Sequence, residues 1–483
     1  MQYSIIIDGT QDVSGEQESI CIRYVDQDLV PHEVFVGLYE VSGTTGEAIA
    51  RMARDVLLRL NIPIACLRGQ TYDGAANMSG KHSGVQAEMK RQQPLALYVH
   101  CGTHCLNLIT QSACESSPLI HGALQWVHEL GTLCKLSGKF KGIFLGIKAA
   151  SGDGASASLR PLCPTRWTVR GKAIKAVLSQ YENVLTSLEE MGANTGTTGA
   201  KANGLKEHFE KGKTVLGLIL AIEVIEVLEC LNKSLQKRTE TITGMKSAID
   251  CVRSTVQGKR SETSFQVLYD KAVEMVESLG IEPIQVPHQR PPPKRYTGGA
   301  SQYIPKTTVE HYRVEYYRML DCVDAQFEAR FNQPDLKILQ ELDDMLVTGE
   351  VSEIVGQYPE LDMNSLKIQL SMFRSSYQIK STTDAADIMR KMPVEVRGLF
   401  NQVETLLRLL LVIPASSSEA EQSFSALRRL KTWLRSSMTQ MRLNHAAVCH
   451  VHQDMLDDVD TQQICQQFID VNEKRRHVFG SFI

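Results

Sequence analysis

Three short segments at the start of the chain constrain its fold most. Residues 3–8 form an apolar run that ends in a carboxylate, and residues 18–25 and 33–41 alternate between apolar and polar side chains. Alternation with a period of two is typical of β-strands. Short polar loops join the three segments, so the sequence predicts an antiparallel meander.

Helix and strand patterns alternate after the meander. Thr44 and Glu47 form a capping box, and an apolar stripe from Ile49 to Leu60 predicts the helix that follows it. The later segments predict, in order, a strand starting at 64–67, a helix at 84–92, a strand at 96–100 and a helix from Cys105. The order β-β-β-α-β-α-β-α predicts an α/β protein with an RNase H-like fold and a mixed five-stranded sheet.

The rest of the chain has almost no strand pattern. Residues 172–395 are mostly helical in pattern, broken by a Gly/Thr-rich loop at 192–200 and a Pro-rich basic linker near 283–305. We therefore predict an RNase H-like first part at 1–171, an all-helical insertion domain at 172–395, and a helical segment at 396–483 that completes the core.

Composition narrows the class of protein without identifying its activity. The chain has 43% hydrophobic and 22% charged residues and a net charge of −3, as expected for a soluble globular protein rather than a general polyanion-coating one. Any DNA must be bound by local patches. No apolar run is long enough for a membrane span, no signal peptide is visible, and the 12 cysteines show no zinc-finger spacing.

Three carboxylates occupy positions that suit two-metal phosphoryl transfer, which needs acids from separate elements. Asp8 ends the first strand, Asp73 follows the fourth, and Glu421 lies early in a late helix. Each has a plainer interpretation. Asp8 can be a turn residue with Asp12 as its competitor, Asp73 can belong to an Asp-Gly turn, and Glu421 can complement the helix dipole.

Several motifs together resemble those of hAT-type transposases, in particular the zinc finger MYM-type-like and THAP-type-like subgroup. They are Asp-Gly-Thr-x-Asp-Val-Ser at 8–14, Tyr-Asp-Gly-Ala-Ala-Asn-Met at 72–78, His-Cys-Gly-Thr-His-Cys-Leu-Asn-Leu at 100–108, Pro-Thr-Arg-Trp at 164–167, the Pro-Ala-Ser-Ser-Ser-Glu-Ala-Glu segment within 413–425, and 427–438. The last of these is similar to the hAT C-terminal dimerisation region. The resemblance covers about residues 1–170 and 395–460.

The resemblance implies a role for each matching residue. Asp8, Asp73 and Glu421 would be the catalytic acids and would hold Mg²⁺ or Mn²⁺. Cys101 and His104 would lie beside the active site, where a packing pair is the alternative. Trp167 matches a tryptophan that stacks on a flipped DNA base, and its basic neighbour Arg166 would also bind DNA. For both residues a simpler structural role is the alternative.

Two functions from different classes follow. The first is DNA strand cleavage and transfer at transposon ends by a nuclear homo-oligomer with no small-molecule substrate. The second is a domesticated, non-enzymatic protein that keeps the fold and the dimer surface to bind partners or chromatin; a nuclease that cuts without joining is a third possibility. Family members carry an N-terminal DNA-binding zinc finger before the first strand, whereas this sequence starts inside that strand. We therefore do not expect sequence-specific end recognition from this chain.

Overall fold

The computed structural model describes residues 1–11, 15–150, 158–162, 170–237, 240–286, 305, 307–432 and 438–480. Asp12, Arg166, Trp167 and the Pro-rich stretch at 287–295 lie outside these residues. The predicted roles of Arg166 and Trp167 therefore stay predictions.

Five strands form one mixed sheet in the order β3-β2-β1-β4-β5. β1 pairs antiparallel with β2 and β2 with β3, whereas β1 and β4, and then β4 and β5, run parallel. The predicted mixed five-stranded sheet is confirmed. The strand bounds are β1 Tyr3–Gln11, β2 Glu16–Val25, β3 Pro31–Glu40, β4 Leu67–Tyr72 and β5 Leu97–His100.

Helices make up most of the remaining described chain. Between residues 170 and 411 the described part contains helices and short 3-10 turns, with a single bridge between Lys211 and Glu282. None of the described helices is long and apolar enough to cross a membrane. The bounds are α1 Gly46–Arg59, α2 Ala76–Ser79, α3 Val85–Gln92, α4 Gly102–Ser116, α5 Pro118–Leu136, α6 Gly138–Ala150, α7 Arg170–Leu178, α8 Tyr181–Gly192, α9 Thr197–Phe209, α10 Gly212–Leu235, α11 Ile242–Gly258, α12 Glu262–Leu279, α13 Thr308–Phe331, α14 Pro334–Thr348, α15 Met363–Ser376, α16 Thr382–Arg390, α17 Val394–Arg397, α18 Asn401–Leu411, α19 Ser418–Leu430, α20 Gln440–Val451, α21 Gln453–Leu456, α22 Thr461–Asp470 and α23 Glu473–Phe479.

Both faces of the sheet are covered by helices. On one face, Ile5, Ile7 and other strand side chains pack against α1 and α3. On the other face, Ile6 and Phe35 pack against side chains of α19 and α20. The largest core joins the helical region to β5 and to the end of β2. The first and last parts of the chain therefore fold as one unit.

Three local predictions differ from the structure. The cap of α1 is Thr45, whose hydroxyl accepts from the Ala48 backbone N–H at 3.3 Å, so the predicted Thr44 cap is wrong. The fourth strand begins only at Leu67, the partner of Tyr3, because residues before it have no strand to pair with. The predicted Gly/Thr-rich loop ends early, since residues from 197 onward form α9.

The outer edge of the sheet, β3, is covered by side chains of the C-terminal region. Gln440 donates to the Leu38 carbonyl at 2.9 Å, and the Asn444 side-chain oxygen accepts from the Leu38 backbone N–H at 2.9 Å. A Cβ at Gly37 would lie 2.2 Å from that Asn444 oxygen, so only glycine leaves room for the contact. Covered edges resist pairing with other chains. The α20 helix therefore closes the edge of the sheet.

A buried arginine links β2 to the helical region. The Arg23 guanidinium forms an ion pair with Glu33 at 2.7 Å and donates to the Leu411 and Glu240 carbonyls at 3.0 and 3.1 Å. Nearby, Arg408 donates to the carbonyls of Val25 and Asp26 at the end of the same strand. The position of β2 thus depends on groups that lie more than 200 residues further along the chain.

Candidate active-site cluster

Two of the predicted acids lie on neighbouring parallel strands: Asp73 directly follows β4, whereas Asp8 lies within β1, which continues to Gln11, so the prediction that Asp8 ends the first strand is wrong. Ile6 of β1 pairs with Thr71 of β4, and Asp8 and Asp73 each lie two residues further along. Thr71 donates its hydroxyl to the Pro414 carbonyl at 3.1 Å, on the face covered by α19. The register therefore places Asp8 and Asp73 side by side, at the end of the sheet where β4 finishes.

The α19 helix brings Glu421 to this edge. Glu421 lies in its first turn, and the helix packs against β1, β2 and β3. The Ser423 hydroxyl, two residues after Glu421, lies 2.8 Å from the hydroxyl of Ser19, which is the strand partner of Asp8. The start of α19 is thus anchored next to Asp8, although the two segments are about 400 residues apart.

The electrostatics of Asp8 reflect this arrangement. Burial raises the pKa of Asp8 well above its usual range. The negative charges of Glu421, Asp73 and Glu18 raise that pKa further, while a hydrogen bond from the Gly9 backbone N–H opposes them. Burial likewise raises the pKa of Glu421 to about 7, against the charge of Arg428. The charges of Glu421, Asp73 and Glu18 are therefore close enough to Asp8 to affect its protonation.

Glu18 is a fourth acid at this edge that the sequence did not point to. It pairs with Gly9 across β2 and β1, and a Cβ at Gly9 would lie 3.0 Å from the Glu18 carboxyl. Glu18 is buried, and one of its carboxyl oxygens has no hydrogen-bond partner. Burial, with smaller effects of Glu16 and Asp73, raises its pKa to about 7. The glycine after Asp8 was the available signal, since it leaves the space that Glu18 fills.

Cys101 holds the segment that precedes α19. Its buried sulfur accepts a hydrogen bond from the Ser417 backbone N–H at 3.2 Å and lies 3.0 Å from the Thr103 hydroxyl. The Gly102 backbone N–H donates to the Ala415 carbonyl at 2.9 Å. Burial raises the pKa of Cys101, so the thiol stays protonated near neutral pH. These contacts suit a residue that positions the start of the Glu421 helix.

His104 lies behind Asp73 and next to a second histidine. The rings of His100 and His104 have centroids 5.6 Å apart. Burial lowers the pKa of His104, and the opposing charge of Asp73 limits the shift. The structure thus places the predicted pair of Cys101 and His104 at the same sheet edge as Asp73, with Cys101 turned toward α19.

The side chains of the cluster lie too far apart to surround a metal ion. Within the described ranges, no three His, Cys, Asp or Glu side chains are grouped closely enough to hold one ion. Asp8, Asp73 and Glu421 therefore share a neighbourhood and an electrostatic field, but they do not form a ready metal site in this arrangement. Binding of Mg²⁺ or Mn²⁺ would need the carboxylates to move together.

Comparison with known proteins agrees with the motifs. A family model described as the ZMYM1/FAM200 RNase-like domain matches residues 1–84. A second, described as the hAT family C-terminal dimerisation region, matches residues 376–455. The chain is therefore similar to hAT-family proteins in its C-terminal region and to ZMYM1/FAM200 proteins at its start. The resemblance found in the sequence is thereby confirmed, and the edge-covering helix α20 lies within the matched dimerisation region.

Two curated relatives of this chain are repressors by name. It is 19% identical over 489 residues to the "52 kDa repressor of the inhibitor of the protein kinase" of Homo sapiens, an alignment that covers 95% of the chain and 62% of that protein. The Mus musculus protein of the same name is 19% identical over 492 residues, covering 95% and 63%. The chain spans about three fifths of the length of these relatives.

Proposed function

We propose that this protein is a domesticated, transposase-derived protein that works without catalysis, by dimerising through its C-terminal region and binding a partner or chromatin in the nucleus. In this proposal the sheet and α19 form an RNase H-like fold, and the helices between α7 and α18 form an insertion. The names of the two curated relatives, both repressors, support a regulatory rather than an enzymatic role.

The observation that carries the proposal is a set of exposed apolar side chains on α20 to α23 and in the loops between them, here called the C-terminal apolar surface. Large exposed apolar patches on soluble proteins mark sites of association. The surface begins within the matched dimerisation region, at Met441, and continues beyond it. A second copy of the chain is therefore its proposed occupant. Its exposed side chains are Met441, Met455, Leu456, Val459, Ile464, Phe468, Val471, Val478 and Phe479.

The double variant Met441→Asp/Ile464→Asp tests this proposal. Both side chains are exposed, at 70% and 50%, so the charges should leave the monomer folded. Buried in a dimer, two carboxylates without partners should weaken association by roughly 30-fold or more. Sedimentation equilibrium over a range of protein concentrations measures the dissociation constant of the dimer.

The matched control is Met372→Asp/Ile368→Asp, which places the same changes on exposed positions of α15 outside the matched region. This control should dimerise like the unaltered protein. A monomeric unaltered protein, or equal weakening in both double variants, would contradict dimerisation through the C-terminal apolar surface.

DNA strand cleavage is a second candidate function, favoured by the acids that jointly raise the pKa of Asp8. Asp8, Asp73 and Glu421 would then hold Mg²⁺ or Mn²⁺. Under the main proposal, the protein with Mn²⁺ should leave a supercoiled plasmid intact. Nicking that is lost in Asp8→Asn and Glu421→Gln, but kept in Glu395→Gln on the exposed surface of α17, would favour cleavage instead.

A further inference from the structure

A groove runs between α5 and α9 in the helical region and has a volume of about 740 Å³. Trp126 and Leu136 mark its two ends on α5, so the groove is about 15 Å long at the helical rise per residue. Both helices contribute side chains to its lining, among them Trp126, Leu133 and Leu136 from α5, and Lys201, Leu205 and His208 from α9.

The groove is apolar and open. The side chain of Leu136 is 77% exposed. Trp126 is half-buried, and its indole ring stacks on the His208 ring with centroids 3.6 Å apart. A Cβ at Gly204 of α9 would meet no atom of the described residues within 4 Å. A groove of this kind, with apolar side chains along it and free space above them, suits the apolar face of a helix.

The charge around the groove is mainly positive. The exposed Lys201 lies on its α9 side. Burial lowers the pKa of His208, and the positive charges of Lys211 and Lys213 lower that pKa further. Glu129, which also lines the groove, has a smaller and opposite effect on His208. The groove therefore complements an amphipathic helix that carries negative charges.

The C-terminal region of the chain has this chemistry. Residues 453–472 contain five aspartates and neither lysine nor arginine. Within them α22, of 10 residues, is about 15 Å long, which matches the groove. Ile464, Phe468 and Val471 are 50%, 49% and 69% exposed, and their spacing of four and three residues places them on one helical face. This acidic segment belongs to the C-terminal apolar surface.

We propose that the groove between α5 and α9 of one copy of the chain receives residues 453–472 of a second copy. The exposed face of α22 then packs on Trp126 and Leu136, and the aspartates lie near Lys201. This inference rests on the proposed dimerisation and identifies the surface that the C-terminal apolar surface contacts. In a two-fold symmetric dimer each copy supplies one groove and one acidic segment, so two identical contacts form.

The groove variant Lys201→Glu/Gly204→Gln tests the location. It places a negative charge opposite the aspartates and fills the space above Gly204, while both positions are exposed and should tolerate the change. The dissociation constant of the dimer, measured by sedimentation equilibrium of the full chain, should rise at least about tenfold. The matched control is Lys271→Glu/Gly142→Gln, with the same changes at exposed positions of α12 and α6 outside the groove. The control should dimerise like the unaltered protein.

Mixing two defective variants tests the reciprocal contact. The segment variant Ile464→Asp/Val471→Asp keeps an intact groove, and the groove variant keeps an intact segment. An equimolar mixture should form heterodimers through the one remaining contact, at concentrations at which each variant alone is monomeric.

The outcomes separate this inference from the proposed dimerisation. A groove variant that dimerises like the unaltered protein overturns the inference, and dimerisation through another surface then stands. The absence of heterodimers in the mixture also overturns it, because a C-terminal surface that pairs with itself gives that result. A monomeric unaltered protein would instead contradict the proposed dimerisation, and with it the docking of one copy on the other.

Discussion

Replacing Arg23 with alanine is expected to lower the free energy of unfolding by about 3–5 kcal/mol. Arg23 is 1% exposed and its ion-pair partner Glu33 is 6% exposed, so both charges are out of water. The substitution leaves the Glu33 carboxylate buried without its cation and removes the donor to the Leu411 and Glu240 carbonyls. Urea unfolding followed by circular dichroism measures the change.

Two variants calibrate this result. Arg51→Ala removes an arginine of α1 that is 69% exposed and pairs with Glu47 on the same helix, and it should cost no more than about 0.5 kcal/mol. Glu33→Gln keeps an acceptor for Arg23 but removes its charge, so its cost should fall between the other two. A loss for Arg23→Ala no larger than that for Arg51→Ala would show that the buried ion pair is dispensable.

Replacing Glu18 with glutamine is expected to stabilise the protein at pH 8 by about 2–3 kcal/mol, with little effect at pH 5. Glu18 is 3% exposed, and its pKa is raised from 4.5 to about 7, mainly by burial. Because the folded pKa lies above the unfolded one, the protonated group favours the folded state at low pH. That contribution is lost as the pH rises from about 4.5 through about 7. The glutamine side chain is neutral at every pH, so the variant does not lose this stability as the pH rises.

The measurement is urea unfolding of both proteins at pH 5 and at pH 8. Glu47→Gln, on the exposed surface of α1, serves as the control and should show no such difference between the two pH values. Burial also raises the pKa values of Asp8 and Glu421, so the Glu18 variant should remove only part of the pH dependence of the unaltered protein. A Glu18→Gln effect that is equal at both pH values would mean that Glu18 is charged at neither or at both.

The sheet could be predicted from the sequence because period-two patterns and short loops specify antiparallel neighbours. Which polar side chains of the strands are buried could not be predicted. The alternation in β2 predicts one polar face, and Glu18 and Ser19 then look like ordinary polar positions of a strand. In the structure Ser19 and Arg23 are buried because helices from the far end of the chain cover their face of the sheet, and Glu18 is buried on the opposite face, beside Gly9. A local pattern carries no information on what packs from 400 residues away.

The candidate site, too, could be predicted only in part from the sequence. The strand order was enough to predict that Asp8 and Asp73 lie near each other on neighbouring strands. The contact between Cys101 and Ser417 was not predictable, since it joins two motifs whose separation in sequence says nothing of their distance in space.

The packing of α19 against the sheet also determines when the molecule can finish folding. Ser19 and Ser423, whose hydroxyls are in contact, are 404 residues apart in the chain. The second face of β1, β2 and β3 can therefore be covered only after almost the whole protein has been synthesised. During that time Ile6, Cys21, Phe35 and Leu38 have no native cover, and exposed apolar strands of this kind aggregate or occupy chaperones. A copy of the chain that stopped before residue 418 would release a sheet with one bare face. Cells would be expected to clear such a fragment quickly, which favours retention of the two ends together or loss of both.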